Sequence, residues 1–306
     1  MRIQVDHVAK TGGGKMRYIL VADVGGTKLA TALFNQQQQL LIKKEVPSDV
    51  TNRETLFHCL INSFEKLCIE QEVSINEISK VCIGVPGIVD VQKGLAVYQN
   101  NIPWSNFPIS ERLIEFFPYA QILMDNDVNM ATWGEYNARG FCKEVMVYVT
   151  LSTGLSCCTV VNGEFIRGTG LAGEIGFNIV GNDGETLEES VSGPAIEKLG
   201  RALLGNSEIR LKDMMELYYK GDLIMNKLLQ QLIYCMEKQL HQMILMLDPH
   251  CIVLGGGFFN HHPKIIEQIK EVIQQRLLNT PFEGKEQIIG SSIRKGEAGL
   301  YGAAMK

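Results

Sequence analysis

The chain of 306 residues has no secretory signal peptide, no C-x-x-C pair and no regular spacing among its eight cysteines. Cys59, Cys68, Cys82, Cys142, Cys157, Cys158, Cys235 and Cys251 are therefore expected to be reduced thiols in a cytoplasmic protein. A dense Lys/Arg run is also missing. With 29 basic against 34 acidic residues the formal charge is −5 and the pI near 5.8, a poor match to nucleic acid or an anionic membrane. The longest uncharged stretch, Val145 to Gly163, is broken by Thr150, Ser152, Thr153, Gly154, Ser156 and Thr159. It suits a buried hairpin better than a transmembrane helix. Neither a G-x-x-x-x-G-K-[ST] P-loop nor a G-x-G-x-x-G dinucleotide loop occurs. What remains is a globular composition, 45% hydrophobic and 21% charged, which excludes disordered, collagenous and disulfide-stapled classes. A chain this long buries roughly 75% of its unfolded surface and forms one large domain or two.

Residues 1–15 (MRIQVDHVAKTGGGK) differ in texture from the rest, and their glycine triplet reads as a flexible joint. They are set aside as a leader or an expression artefact. From Tyr18 onward strands and helices alternate, which implies an α/β architecture. Tyr18–Val24, Ala30–Phe34 and Leu41–Val46 read as strands. Thr51 to Glu54 reads as a capping box, with Thr51 accepting an amide and Glu54 reaching back, ahead of a helix through Leu56, Leu60, Phe64 and Leu67. Strands at Val81–Val85 and Gln121–Met124 follow, then a helix through Met130, Trp133 and Tyr136. At Val145 the order restarts with short strands at Val145–Thr150, Cys157–Val161 and Glu164–Ile166. Helices are expected near 188–204 and 209–219. A long one runs from Leu223 to Leu247, where Leu229, Ile233, Met236, Leu240 and Met243 form an apolar stripe. Cys251–Leu254, a helix, a strand at Gln287–Ser291 and a closing helix from Glu297 complete the chain. VADVGGTKLATALFN (21–35) laid over VTLSTGLSCCTVVNG (149–163) aligns Gly26 with Gly154 and Thr31 with Thr159. That weak repeat favours two similarly built lobes facing a cleft.

Three glycine-bearing turns sit at strand ends: Asp23 to Lys28, Ser152 to Gly154, and Gly255 to Gly257. Glycine lets a backbone approach an anion closely with its N–H groups turned inward, as a phosphate requires. Asp23 is suited to hold a magnesium ion, directly or through water, because hard carboxylate oxygens match that cation. Asp127 closes a strand and opens a helix. Two roles are open to it on these grounds, helix N-cap or general base toward a substrate hydroxyl, with Asn126 as a hydrogen-bonding neighbour.

DVGGTK (23–28), DND-x-N (125–129), AGEIG (172–176), LEESVSG (187–193), DPHCIVLGGG (248–257) and EAGLYGAA (297–304) occur in one order. This series resembles the ROK family of bacterial sugar kinases and sugar-responsive repressors, from Tyr18 to the end of the chain. The resemblance implies a two-lobed actin-like (ribonuclease H-like) ATPase fold of the ROK type. Residues 16–127 would form the N-terminal lobe, with the closing helix 295–306 packed back on it, and 128–294 the C-terminal lobe. It also implies ATP-dependent phosphoryl transfer to a hexose hydroxyl, with Mg²⁺, in a homodimer. By residue, Asp127 would be the base. Asn101, Asn126, Glu174 and Glu188 would contact the sugar. Asp23, Gly25, Gly26, Thr27 and Lys28, with Ser152, Thr153 and Gly154, would hold phosphates, and Gly255, Gly256 and Gly257 would underlie the adenosine.

Three departures stand out. Phe177 replaces the histidine that many relatives carry after GE-x-G, and Asn178–Thr186 has none of the cysteines that bind their structural zinc, so no zinc site is expected. An aromatic ring there suits an O1-substituted sugar. Cys157 and Cys158 stand where relatives often have glycine, and their bulk is expected to limit backbone approach to phosphate. His261 and His262 read as an exposed loop. A repressor would need a DNA-binding segment ahead of DVGGTK, for which 22 residues are too few. The expected activity is a hexose kinase acting on O6 of glucose or a close relative. The alternatives are a β-glucoside or amino-sugar kinase, or a catalytically weak sugar- or nucleotide-binding sensor.

Overall fold

The computed structural model describes residues 17–181 and 183–306; the segment 1–15 lies outside them. The first half runs β1 (Tyr18–Val24), β2 (Lys28–Asn35), β3 (Leu40–Pro47), α1 (Arg53–Glu70), β4 (Ile78–Val85), β5 (Ile88–Asp90), β6 (Leu95–Tyr98), α2 (Ile109–Ile114), β7 (Gln121–Asn126) and α3 (Asp127–Ala138). The second half continues with β8 (Met146–Leu151), β9 (Leu155–Val161), β10 (Glu164–Phe165), α4 (Leu187–Val191), α5 (Gly193–Leu204), α6 (Leu211–Tyr219) and α7 (Leu223–Leu247). It closes with β11 (Cys251–Gly255), α8 (Gly256–His261), α9 (Pro263–Leu277), β12 (Ile289–Ser291) and α10 (Ala298–Met305).

Two five-stranded sheets share one plan. Their orders are β3-β2-β1-β4-β7 and β10-β9-β8-β11-β12. In each, the first two pairings are antiparallel and the last two parallel. The segments aligned in the sequence repeat, β1–β2 and β8–β9, hold the same places in the two sheets. Strand β1 reads as an unbroken apolar run because both its faces are covered. Leu20, Ala22 and Val24 pack with Leu56, Phe57 and Leu60 of α1 on one side. Ile19 and Val21 pack with Leu300, Ala303 and Ala304 of α10 on the other. The apolar stripe of α7 is buried as its spacing demands, in the core of the second sheet.

Helices α3 and α10 cross at backbone distance. A Cβ added to Gly302 would lie 1.7 Å from the Met130 carbonyl oxygen, and one added to Gly134 would lie 2.2 Å from that of Ala298. The small residues of EAGLYGAA are therefore a packing requirement.

Some local expectations need correction. Helix α1 is capped by Asn52, not Thr51: its Oδ1 accepts from the Glu54 and Thr55 amides, and Thr55 Oγ1 accepts from the Asn52 amide. Glu54 is drawn away into a two-point ion pair with Arg112. The last strand is shorter than Gln287–Ser291, because Lys285–Ile288 forms a 3₁₀ turn. Gly255–Gly257 is a strand-to-helix junction rather than a plain turn. Strands β5 and β6 and helix α2 have too few periods to be read from sequence. Among the described residues no helix is long and apolar enough to cross a membrane.

Candidate active site

Ligand sites in open α/β sheets lie beyond the carboxyl ends of parallel strands, and three such ends meet here. Asp23 of β1 is in register with Gly84 of β4, which is in register with Asp125 of β7. Gly84 packs directly beneath α3, where an added Cβ would lie 3.4 Å from Asp127 Cα, in van der Waals contact. Asp23 also faces Gly299 of α10, whose added Cβ would lie 3.1 Å from Asp23 Oδ2. The following turn is closed by the Gly25 amide donating to the Lys28 carbonyl at 3.0 Å, while Ser48 Oγ donates to the Gly25 carbonyl at 2.6 Å. Gly26 abuts Asn101, with 2.6 Å from its would-be Cβ to the Asn101 carbonyl oxygen. Trp104, wholly buried and bonded to the Arg53 carbonyl, anchors that segment. Thr27 and Lys28 are exposed, and Lys28 pairs with Glu45 at 3.3 Å.

At the β7–α3 junction the cap is Asn126. Its Oδ1 accepts from the Val128 and Asn129 amides and its Nδ2 donates to the Gly87 carbonyl. Asp127, the first helical residue, is thereby relieved of capping duty and accepts from the Val128 amide at 2.9 Å. Desolvation pushes the Asp127 carboxyl up to about 7; the charges of Asp23 and then Glu174 add to the effect, and the adjacent backbone amides oppose it. Asp23 is pushed up to about 6, mainly by desolvation, with Lys28 opposing and Glu45 adding. Glu174 is raised by desolvation and by Glu188. The charges of Asp23 and Glu174 thus act on Asp127, and that of Glu188 acts on Glu174.

In the second lobe the Ser152 amide donates to the Gly154 carbonyl at 2.9 Å, a tight turn between β8 and β9. Glu188 of α4 braces it, accepting from the Leu155 amide at 2.7 Å through Oε2. That oxygen occupies the space beside Gly154 and Gly176, where any Cβ would meet it at 2.7 and 3.1 Å. Cys157 and Cys158 follow the turn within the β8–β9 hairpin. Both are free, buried strand residues of β9, and burial pushes each thiol up to about 12. Phe177, three residues beyond Glu174, is 72% exposed.

A cavity of about 870 Å³ opens from Ser152 and Thr153 and continues past Gly257, Phe258, Lys198 and Lys212. Gly256 adopts φ +81° and packs against the end of β8, 2.5 Å from Leu151 O to its would-be Cβ. Only glycine tolerates both conditions. His261 and His262 are not a bare loop: they line this cavity, and His262 Nδ1 lies 3.1 Å from Tyr219 Oη. Sequence reasoning missed the α5 and α6 side chains here, because charged residues on an amphipathic helix read as a solvated face. Asp125 was passed over as well. It is fully buried and bound by Arg167 and Asn129.

The sequence model of the ROK family matches residues 19–305. The glucokinase of Halalkalibacterium halodurans is 25% identical over 295 residues, covering 88% of this chain and 89% of that protein. The N-acetyl-D-glucosamine kinase of Pasteurella multocida is 26% identical over 306 residues, covering 91% and 97%. Among solved structures, a glucokinase from Streptomyces griseus, in complex with glucose and AMPPNP, superposes with a TM-score of 0.78 at 22% identity. It covers 94% of this chain and 98% of its own.

Proposed function

This chain belongs to the ROK family and has its two-lobed actin-like ATPase fold, and from that premise we propose that it is an ATP-dependent hexose kinase. The observation that carries the reading is the setting of Asp127: a carboxyl at the first turn of α3, beyond the carboxyl ends of β1, β4 and β7, raised toward neutral pH by desolvation and acted on by the charges of Asp23 and Glu174. Glucose or a close relative is the proposed substrate, phosphorylated on O6, in a cytoplasmic homodimer.

In the proposed reaction the sugar is held by Asn101, Asn126, Glu174 and Glu188. Asp127, ionised, takes the proton of the acceptor hydroxyl as that oxygen bonds to the γ-phosphorus. The bond from the γ-phosphorus to the β–γ bridging oxygen breaks, and ADP leaves. A carboxyl with pKa about 7 is well matched to this work, since a general base is most effective near the operating pH. Turns 25–28 and 152–154 supply backbone N–H groups to the phosphates, and the cavity past Gly257 takes the nucleoside. Phosphoryl transfer depends mainly on such positioning and on charge neutralisation.

Magnesium fits this donor set. Among the described residues no group of three His, Cys, Asp or Glu side chains could form a cage, and Mg²⁺ usually binds through one or two carboxylates together with substrate phosphates. Asp23 would hold it, directly or through water. When bound, the ion would neutralise charge developing on the transferred phosphoryl group. No zinc site is proposed.

A second reading of the substrate rests on Phe177. An exposed aromatic ring close to Glu174, with Leu171 and Ile179 also exposed, favours an O1-substituted hexose such as a β-glucoside, whose aglycone would stack on it. The test is ADP formation with MgATP across hexoses, amino sugars and β-glucosides, with Asp127→Asn alongside. Turnover of one sugar class, lost in the variant, is expected. Measurable ATP binding without turnover of any sugar would sink the kinase reading.

A further inference from the structure

Asp125 is a fully buried carboxylate two residues before the proposed base. Its Oδ1 accepts from the Asn126 amide at 2.8 Å and from Asn129 Nδ2 at 2.9 Å. These two donors belong to the β7–α3 junction, so the carboxylate holds the Asn126 backbone before Asp127 and the Asn129 side chain after it. The remaining donors come from elsewhere in the chain. Arg167 binds both oxygens, Nη1 to Oδ1 at 2.9 Å and Nη2 to Oδ2 at 2.5 Å, and Lys306 Nζ lies 3.4 Å from Oδ2. These cations hold the Asp125 carboxyl below the usual aspartate range despite its burial.

Arg167 leads into the segment that carries Glu174. Gly168, Gly170 and Gly173 in that segment adopt φ values of +54°, +111° and +98°, which glycine reaches at little cost, and the Gly173 carbonyl accepts from the Cys157 amide of β9 at 2.8 Å. Two successive turns lead from Arg167 to Glu174, closed by the Gly170 amide donating to the Arg167 carbonyl at 3.0 Å and the Glu174 amide donating to the Leu171 carbonyl at 3.3 Å. The guanidinium itself is packed 5.0 Å from the Phe165 ring centroid.

We infer that Arg167 is a positioning residue that, through Asp125, ties the junction bearing Asp127 to the segment bearing Glu174. One side chain thus sets the spacing between the base in the first lobe and a sugar-binding carboxylate in the second. The planar fork of arginine is needed because the link is two-pointed; a lysine ammonium would preserve charge without orientation. The inference rests on the kinase reading for its kinetic consequence but not for its structural one.

The test uses the whole chain with Arg167→Gln and Arg167→Lys. Arg167 is 41% exposed, and Lys306 Nζ at 3.4 Å with the Asn126 and Asn129 donors remains to satisfy Asp125 when the guanidinium is removed, so both variants should fold. Arg167→Gln should lower kcat roughly 10- to 100-fold, the scale of a small misplacement of reacting groups. The KM for sugar should rise, while the KM for ATP should stay put, because the nucleotide cavity touches neither Arg167 nor Asp125. Arg167→Lys should fall between. Amide hydrogen exchange gives a readout independent of turnover: residues 126–130 and 168–175 should both exchange faster in Arg167→Gln. Faster exchange confined to 166–175, or an unchanged kcat, would overturn the inference. If the wild-type protein phosphorylates no sugar, the kinase reading falls and the exchange result alone decides the tether.

Discussion

Asp127→Asn should raise the stability of the fold at alkaline pH while removing most of its activity. The magnitude follows from the pKa of the carboxyl, which desolvation and then the charge of Asp23 lift from the usual 3.8 to about 7. Each pKa unit corresponds to 1.36 kcal/mol, so keeping this group ionised at pH 8 costs the native state at most about 4 kcal/mol. Relaxation and water entry reduce that, and a gain on the order of 1–2 kcal/mol is expected for the neutral amide. Asparagine keeps an oxygen able to accept from the Val128 amide, as Asp127 does. For a chain this size the gain corresponds to roughly 2–4 °C in Tm. The sign is set by linkage: between about pH 4 and 7 the native state binds more protons than the unfolded one, so this carboxyl's penalty shrinks as pH falls through 7. The gap between variant and wild type should therefore be widest at pH 8 and close toward pH 4. Thermal unfolding of both proteins at several pH values, with chelator and without ATP or sugar, measures it. A variant no more stable than wild type at pH 8, or a gap that does not change with pH, would refute the reasoning. Activity should fall about 10²- to 10⁴-fold, the contribution of a positioned base.

Other perturbations probe the frame around the site. Gly302→Ala drives a methyl into the Met130 carbonyl and should cost about 1–3 kcal/mol or more. Gly296→Ala, with open space around it, should leave Tm unchanged; equal losses would show that the α3–α10 crossing is not the cause. Glu135 is fully buried, pairs with Arg139, and accepts from Ser292 Oγ and the Ile293 and Arg294 amides. Its loss in Glu135→Ala should destabilise by about 3–5 kcal/mol, with Glu135→Gln milder in the same melting assay. Phe177→His should raise kcat/KM for free glucose relative to a β-glucoside; identical ratios in variant and wild type would remove Phe177 from sugar selection.

Much of the frame was legible because it follows local rules. The α7 stripe steps by three and four residues and is buried where the spacing puts it. The apolar run of β1 is a strand covered on both faces, and the repeat at 21–35 and 149–163 marks equivalent strands of two sheets. Capping was harder to read. Thr51 and Asn52 are both competent caps, and the choice fell to Asn52 because Arg112, far along the chain, binds Glu54. The cysteine pair at 157–158 lies in the β8–β9 hairpin, and only the fold shows that both residues are buried.

The sequence by itself determined which residue types could do chemistry and which elements carry them: strand-end aspartates, glycine turns, and carboxylates in AGEIG and LEESVSG. Periodicity and residue chemistry are local, so they survive reading in one dimension. Tertiary structure alone decided which of these groups share a field. Asp23, Asp127 and Glu174 come from distant segments, and the rise of Asp127 to about 7 comes first from its desolvation in the fold and then from the charge of Asp23, with Glu174 adding least. Likewise Asp125 reads as one more polar residue of a strand end until folding buries it against Arg167 and Lys306. Desolvation and charge proximity are properties of three-dimensional neighbours, and no linear pattern encodes them.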